Sequence, residues 1–413
     1  MMMKTLRATC AVFCITVIAA TGVTAQETAR VARQIDSPAG PASETPNLFT
    51  APDGRIFLSW IEKAGDRRAL RFAVRNGSAW SDARTIAEGR NWFVNWADFP
   101  SVFALADGTL VAHWLVKSGA GTYAYNVNLS ISTDGGKTWG KAITPHRDNT
   151  QTEHGFVSMF AAAGRRVGAV WLDGRNFASK SDSHAHGASK EEMTLRHAAV
   201  SADGKLSDEA VLDSRVCECC QTSAAQTTEG AVVVYRDRSE KEVRDIFIVR
   251  FAGGRWTEPK TVHNDEWEIQ GCPVNGPSVA AEGRRVAVAW FTAAADAPRV
   301  KVAFSEDAGA SFGQAIQVDE GSPLGRVDVL VLADGSAFVT WLERAEKGAE
   351  VRARPIRPDG SRGRSITVAE SSAARASGFP QTARSGSEII FAWTEPGPAP
   401  RVRTAVLNLA DYK

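Results

Sequence analysis

Apolar residues recur along the chain in short runs that either alternate with polar positions or fill a whole strand length, and each run ends on an aromatic residue. The strings are RIFLSW, TLVAHW, RVGAVW, AVVVY, RVAVAW, SAFVTW and EIIFAW, ending at Trp60, Trp114, Trp171, Tyr235, Trp290, Trp341 and Trp393. Runs of this kind predict β-strands buried on one or both faces. A turn signal stands before each: Asp53-Gly54, Asp107-Gly108, Gly164, Gly230, Gly283, Asp334-Gly335 and Gly386. Before each turn lies another short apolar segment, such as PSVFALA or PSVAA, so each pair reads as a hairpin.

The aromatic anchors are about 50 to 65 residues apart, the length of one four-stranded propeller blade. Seven anchors predict an all-β chain folded as a seven-bladed β-propeller, with six blades as the alternative. After each anchor a polar loop leads to a third strand, as in YNVNLSIS or VKVAFS, and a second hairpin leads to a fourth, as in ARTIAE or KAITPH. The last repeat stops after its third strand, whereas a strand-like piece with no partner, ARVARQID, precedes the first repeat. Pairing of Ala29 to Asp36 with the segment around Arg401 to Leu409 is therefore expected to close the ring, because an open ring leaves sheet edges unpaired. A β-sandwich also places tryptophans in strands, but the regular spacing and paired turns favour the propeller.

The chain starts with the basic MMMKTLR, followed by an uncharged apolar run from Ala8 to Val23. This is signal-peptide architecture, with residues 1–25 removed and a cut near Gln26; a retained anchor is the alternative. No later segment approaches the roughly 18 apolar residues a membrane helix needs. Residues 26–413 then form one propeller domain, expected in the periplasm or secreted. A formal charge of +1 offers no basic field for nucleic acid, and leaves a small molecule, a glycan or a protein open as partner.

Ser132 to Trp139, STDGGKTW, fits the pattern S-x-D-x-G-x-x-W, and Ser305 to Phe312, SEDAGASF, repeats it with Phe for Trp. These are Asp-boxes, and the chain resembles the sialidase superfamily of bacterial neuraminidase (BNR) repeat propellers over essentially its whole mature length. The resemblance implies that Asp134 and Asp307 are structural turn residues on the face opposite the usual active site. It also implies a catalytic set of three arginines, a tyrosine paired with a glutamate, and an aspartate acid. The family's early arginine-isoleucine-proline signature is absent, since Arg55-Ile56 is followed by Phe57, and the family is usually six-bladed. Of the four tyrosines, Tyr235 occupies an anchor position, and Tyr123 and Tyr125 start a strand. No catalytic residue carries over.

In a propeller the entrances of the first strands and the loops after the anchors share one face. Asp98, Glu153, Asp173 and Asp237 are the acid/base candidates that placement offers to an exo-acting glycoside hydrolase, which needs two carboxyls flanking the scissile bond. Arg175, Arg236, Arg238 and Arg326, with Asn275, are candidates for binding an anionic ligand, because guanidinium forks suit planar anions. Inter-blade ion pairs are the plainer reading of the same arginines. His113 reads as a core histidine, and His184 with His186, in the insertion from Phe177 to Glu192, as a solvated pair.

Beyond the leader four cysteines remain: Cys217, Cys219, Cys220 and Cys272. They fall at the entrances of neighbouring blades, so they are expected to cluster. Structural disulfides from Cys272 to one of the others are one reading. A soft-metal site for copper or zinc, with His154 as an added ligand, is the other. The leading expectation is an exported propeller that binds a ligand or partner on this cysteine- and arginine-rich face, with a soft metal as candidate cofactor. An exo-acting glycoside hydrolase and a structural scaffold are the alternatives.

Overall fold

The structure, a computed structural model, describes residues 32–178 and 192–412. The leader and the pair His184 and His186 lie outside the described residues. Seven antiparallel sheets follow one another along the chain and form a seven-bladed β-propeller, so the six-bladed alternative falls. The innermost strands are Ser43–Thr50, Ser101–Ala104, His154–Ala162, Ser223–Thr227, Ser278–Glu282, Pro323–Val331 and Gln381–Ser385. Blade two departs from the expected pattern, because KAITPH touches its third strand only at the bridge from Leu129 to Ile143. Among the described residues no helix is long and apolar enough to cross a membrane.

The seven aromatic anchors all sit in second strands and are buried. A buried indole needs an acceptor for its N–H, and in four blades a carboxylate supplies it. Trp60 donates to Glu62 at 3.3 Å, Trp171 to Asp173 at 2.7 Å, Trp290 to Asp265 at 2.6 Å and Trp341 to Glu343 at 2.5 Å.

A belt of hydrogen bonds at the strand entrances ties blades two to seven in series and blade seven to blade one. The Phe156 N–H of blade three donates to Asp98 Oδ1 of blade two at 2.9 Å, and Thr222 Oγ1 of blade four donates to the Phe156 carbonyl at 2.7 Å. Gln221 Oε1 accepts from Gly276 N at 2.9 Å, Asn275 Oδ1 from Arg326 N at 2.7 Å, and Asp328 Oδ2 from Thr382 N at 2.7 Å. Asn47 of blade one donates to Gln381 of blade seven at 3.1 Å. Between blades one and two the contact is instead aromatic, with the rings of Phe49 and Phe103 4.7 Å apart. Phe156 and Arg326 have positive φ, 54° each, where their strands bulge out of register. The bulge releases a backbone N–H from the ladder, and the neighbouring blade's Asp or Asn accepts it.

Both S-x-D-x-G turns fold alike. Ser132 Oγ receives Gly136 N–H at 2.8 Å, and Asp134 receives the N–H groups of Lys137 and Thr138 at 3.0 Å. Ser305 receives Gly309 N–H at 2.9 Å and Asp307 receives Ser311 N–H at 2.8 Å. Trp139 then packs edge-on against Phe72 of blade one at 5.9 Å.

The ring closes as expected. Strand Arg33–Ile35 pairs antiparallel with Arg401–Asn408, Gln34 facing Ala405, and becomes the outer strand of blade seven. Deleting residues 32–36 should lower the midpoint of thermal unfolding of the whole ring by several degrees while keeping one transition; an unchanged midpoint would show that this strand does not hold the ring.

Candidate functional site

The described thiols gather where blades three, four and five meet. Cys217, Cys219 and Cys220 occupy the loop between strands Leu206–Asp213 and Ser223–Thr227. Two backbone bonds anchor that loop, from Val216 N to the Met193 carbonyl at 2.9 Å and from Cys217 N to the Arg236 carbonyl at 3.0 Å. Cys217 Sγ stands 3.5 Å from Cys220 Sγ and 3.8 Å from Cys219 Sγ, and the three sulfurs lie within 4.8 Å of one another. Cys272 comes from the loop entering blade five, is exposed, and stands near enough to Cys219 to help push that thiol up. All four are free thiols in the structure.

Charge around the sulfurs is ordered. Arg244 Nη1 donates to Cys217 Sγ at 3.2 Å and to Glu218 at 2.9 Å, and its Nη2 donates to Glu242 at 2.8 Å. Burial pushes the Cys217 thiol up, but hydrogen bonds from Cys219 and Cys220 and the Arg244 charge outweigh it, holding Cys217 well below the usual thiol range. Burial and the neighbouring thiols push Cys219 and Cys220 the other way.

The expected arginine clamp does not form. Arg236 is buried, with its guanidinium spent on backbone carbonyls: Asn275 at 2.8 Å, Phe291 at 2.7 Å and Arg244 at 2.5 Å. Arg326 donates to the carbonyls of Ala374 and Gly378 and to Ser377, and lies over the Trp96 ring at 4.7 Å. Asn275 caps Arg326 N–H and donates to the carbonyls of Pro273 and Leu324. Arg175 forks onto Asp173, and Arg238 onto Glu242 and Glu218. Arg236 and Arg238 have a partner on every guanidinium nitrogen, which leaves little for a ligand, whereas only Nη1 of Arg326 and only Nε and Nη2 of Arg175 are engaged by these partners.

The carboxylates divide. Asp173 accepts from Trp171 and Arg175 and is fully buried, which removes it as an acid/base. Asp237 is half-buried and raised to about 7 by burial and by the charge of Asp213. Asp98 and Glu153 do come together, on the hydroxyl of Tyr125, at 3.3 Å and 2.7 Å. Their bonded oxygens are thus at most about 6 Å apart, against the roughly 5 to 9.5 Å between the paired carboxyls of glycoside hydrolases. Access is the obstacle: Tyr125 is 0% exposed and Asp98 4%, and Phe93 stacks on Tyr125 at 3.9 Å. Gly155 makes room for the group, because a methyl there would strike the Asp98 carboxylate.

His154 was expected beside the thiols, and the structure places it elsewhere. Its Nε2 faces Asp148 at 3.1 Å and Asp173 at 3.7 Å, and its Nδ1 faces the carbonyls of Tyr125 and Thr152 at 3.2 Å. His146 stacks on it at 3.8 Å and shares Asp148 through Nδ1 at 2.9 Å. Burial pushes Asp148 up, but hydrogen bonds from both histidines and Thr150 hold it far below the carboxylate range. Sequence reasoning missed this group; the signal was His146-Arg147-Asp148, seven positions before Glu153-His154 in number order of a loop with no strand of its own. Arg175, 3.4 Å from Asp148, already neutralises it.

Comparison with solved structures finds the same architecture at low identity. An α-L-arabinofuranosidase of Fusarium graminearum matches with a TM-score of 0.51 at 11% identity, over 92% of this chain and 98% of that one. A polysaccharide lyase matches with a TM-score of 0.53 at 10% identity, over 89% and 90%. Trypanosoma rangeli sialidase matches with a TM-score of 0.48 at 12% identity, over 80% and 57%. At these identities the likeness is one of fold. The chain is a β-propeller in architecture. No protein-family model matches the sequence, and no curated protein matches it.

One hydroxyl proton cannot serve two carboxylates, so the Asp98–Tyr125–Glu153 group needs a further proton. Burial accordingly raises Asp98 to about 7, and burial with the charges of Asp98, Glu218 and Cys217 raises Glu153 to about 8. A carboxyl raised in the folded state binds its proton more tightly there than in the unfolded chain, near 4. Its stabilisation is complete below about 4 and is lost as pH rises through 7 and 8. Asp98→Asn keeps the acceptor for Phe156 N–H and adds a donor toward Tyr125. In urea denaturation it should gain on the parent by about 1 to 3 kcal/mol between pH 5.5 and 8.5; a difference independent of pH would contradict the shared proton.

Proposed function

We propose that this protein is an exported propeller that binds a soft metal ion, Cu(I) before Zn(II), through the thiols of Cys217, Cys219 and Cys220, with Cys272 adjoining. The observation that carries the reading is the mutual approach of three sulfurs to within 4.8 Å. Thiolates about 2.3 Å from a common ion stand roughly 3.8 Å apart, and the sulfur pairs here are 3.5 and 3.8 Å apart. Thiolate donors select Cu(I), zinc or iron–sulfur clusters. Three donors on one short loop suit low-coordinate Cu(I) better than a closed tetrahedral zinc site, which takes four.

The second reading, an exo-acting glycoside hydrolase, is favoured by the spacing of Asp98 and Glu153. It requires Tyr125 and Asp98 to open to a sugar, and Glu153, half-buried, is the member of the pair nearest to solvent. Turnover of glycosides by the parent and its loss in Glu153→Gln would establish it.

For the metal reading, reduced protein is incubated with Cu(I) or Zn(II), dialysed and analysed for metal. One Cu(I) per chain is expected, falling at least about tenfold in Cys217→Ala, whose propeller should remain folded. Unreduced protein with Cys272 disulfide-linked to Cys217, Cys219 or Cys220, and with no metal, would overturn the reading.

A further inference from the structure

The segment entering blade two, Trp96 to Phe99, reaches well beyond its own blade. The Ala97 carbonyl accepts from Gln221 Nε2 of blade four at 2.5 Å, and the Phe379 ring of blade seven lies 5.8 Å from Trp96 and 6.0 Å from Phe99. Trp96 also lies against the guanidinium of Arg326, on the inner strand of blade six, at 4.7 Å. Contacts with blades four, six and seven lay this segment across the mouth of the ring. Arg326 is 6% exposed there, and among the described residues no carboxylate pairs with it. Its Nη1 donates to the carbonyls of Ala374 and Gly378 and to Ser377 Oγ, at 3.1, 3.0 and 2.7 Å. Its Nε and Nη2 have no partner among the described residues. These two nitrogens share the edge by which Arg175 grips both oxygens of Asp173. Arg375 opens the turn Arg375–Ser377, whose residues and flanks hold that Nη1; it is exposed and enters no ion pair among the described residues. Burial, and then the charge of Arg375, hold Arg326 down to about 10.

We propose that Arg326 and Arg375 bind a phosphate dianion, free or carried as a monoester, on the open edge formed by Arg326 Nε and Nη2. A buried cation is costly unless an opposite charge offsets it. Arg175, Arg238 and Arg244 each have a carboxylate for that purpose, and Arg326 has none. Two parallel N–H groups on one guanidinium edge fit two oxygens of a single anion. Arg375, on the turn that fixes the Arg326 head group, adds a second positive charge beside the first, so the site suits a dianion better than a monocarboxylate. Trp96 covers one face of the guanidinium and keeps its plane in place. The site is made of residues apart from the thiols and does not depend on the metal reading.

The test is isothermal titration calorimetry of the protein at about pH 8, where phosphate is a dianion, with inorganic phosphate, phenyl phosphate and acetate at matched ionic strength. Saturable binding of one phosphate per chain is expected, and the tighter of the two phosphates tells whether the free ion or the ester is the ligand. Arg375→Gln, at an exposed position that should leave the fold intact, should weaken phosphate about tenfold, as loss of one charge-assisted hydrogen bond does. Arg326→Lys keeps the charge but loses the two-donor edge, and should weaken it at least as much. No saturable binding of either phosphate would overturn the site. Parental affinity in Arg375→Gln would overturn the two-arginine arrangement, and acetate binding as tightly as phosphate would overturn the dianion.

Discussion

Everything in this molecule depends on closing a ring of seven sheets whose inner strands converge on one axis. Convergence leaves backbone N–H groups at the strand entrances with no ladder partner, and buried unpaired donors are costly. Side chains of the preceding blade supply the missing acceptors: Asp98 for Phe156, Gln221 for Gly276, Asn275 for Arg326 and Asp328 for Thr382. Each bond joins residues some 50 or more positions apart in sequence, so it forms only once two neighbouring blades have docked. The outer rim is closed by the same logic, when Arg33–Ile35 pairs with Arg401–Asn408.

That constraint decides which polar residues are free for chemistry. Arg236 is consumed by carbonyls of a neighbouring blade, and Asp173 by an indole and a guanidinium. The loop entering blade four carries three cysteines that take no part in the belt. Gln221 and Thr222, directly after Cys220, do take part. The thiol loop is thus held to the belt at one end and to blades three and four at the other, which fixes its sulfurs without using them.

The architecture was legible because it is written in repeated patterns: the aromatic anchors, the turn before each and the spare N-terminal strand. Cys217, Cys219 and Cys220 lie within four consecutive positions, so their mutual approach is read from the sequence without any count of blades. The fate of single polar residues was not legible, because hydrogen-bond partners lie one blade away. Asp173 is instructive, since Trp60-Ile61-Glu62, Trp171-Leu172-Asp173 and Trp341-Leu342-Glu343 share an aromatic-x-acid spacing that marks an indole acceptor. His154 opens the strand His154–Ala162 directly after Glu153, which is bridged to Tyr125, and neighbours along extended chain point to opposite sides. It turned toward Asp148 and not toward the thiols, and the partner that decided this, His146, sits in a loop without periodicity.

The proposed metal is held by sulfur alone, on the loop between strands Leu206–Asp213 and Ser223–Thr227. X-ray absorption at the copper edge of the Cu(I)-loaded protein reads the ligand set directly. The account predicts a shell of sulfur at about 2.3 Å with no nitrogen or oxygen shell near 2.0 Å. A first shell dominated by nitrogen or oxygen at that shorter distance would contradict it, and would move the site from the thiols to the histidine–carboxylate group around Asp148.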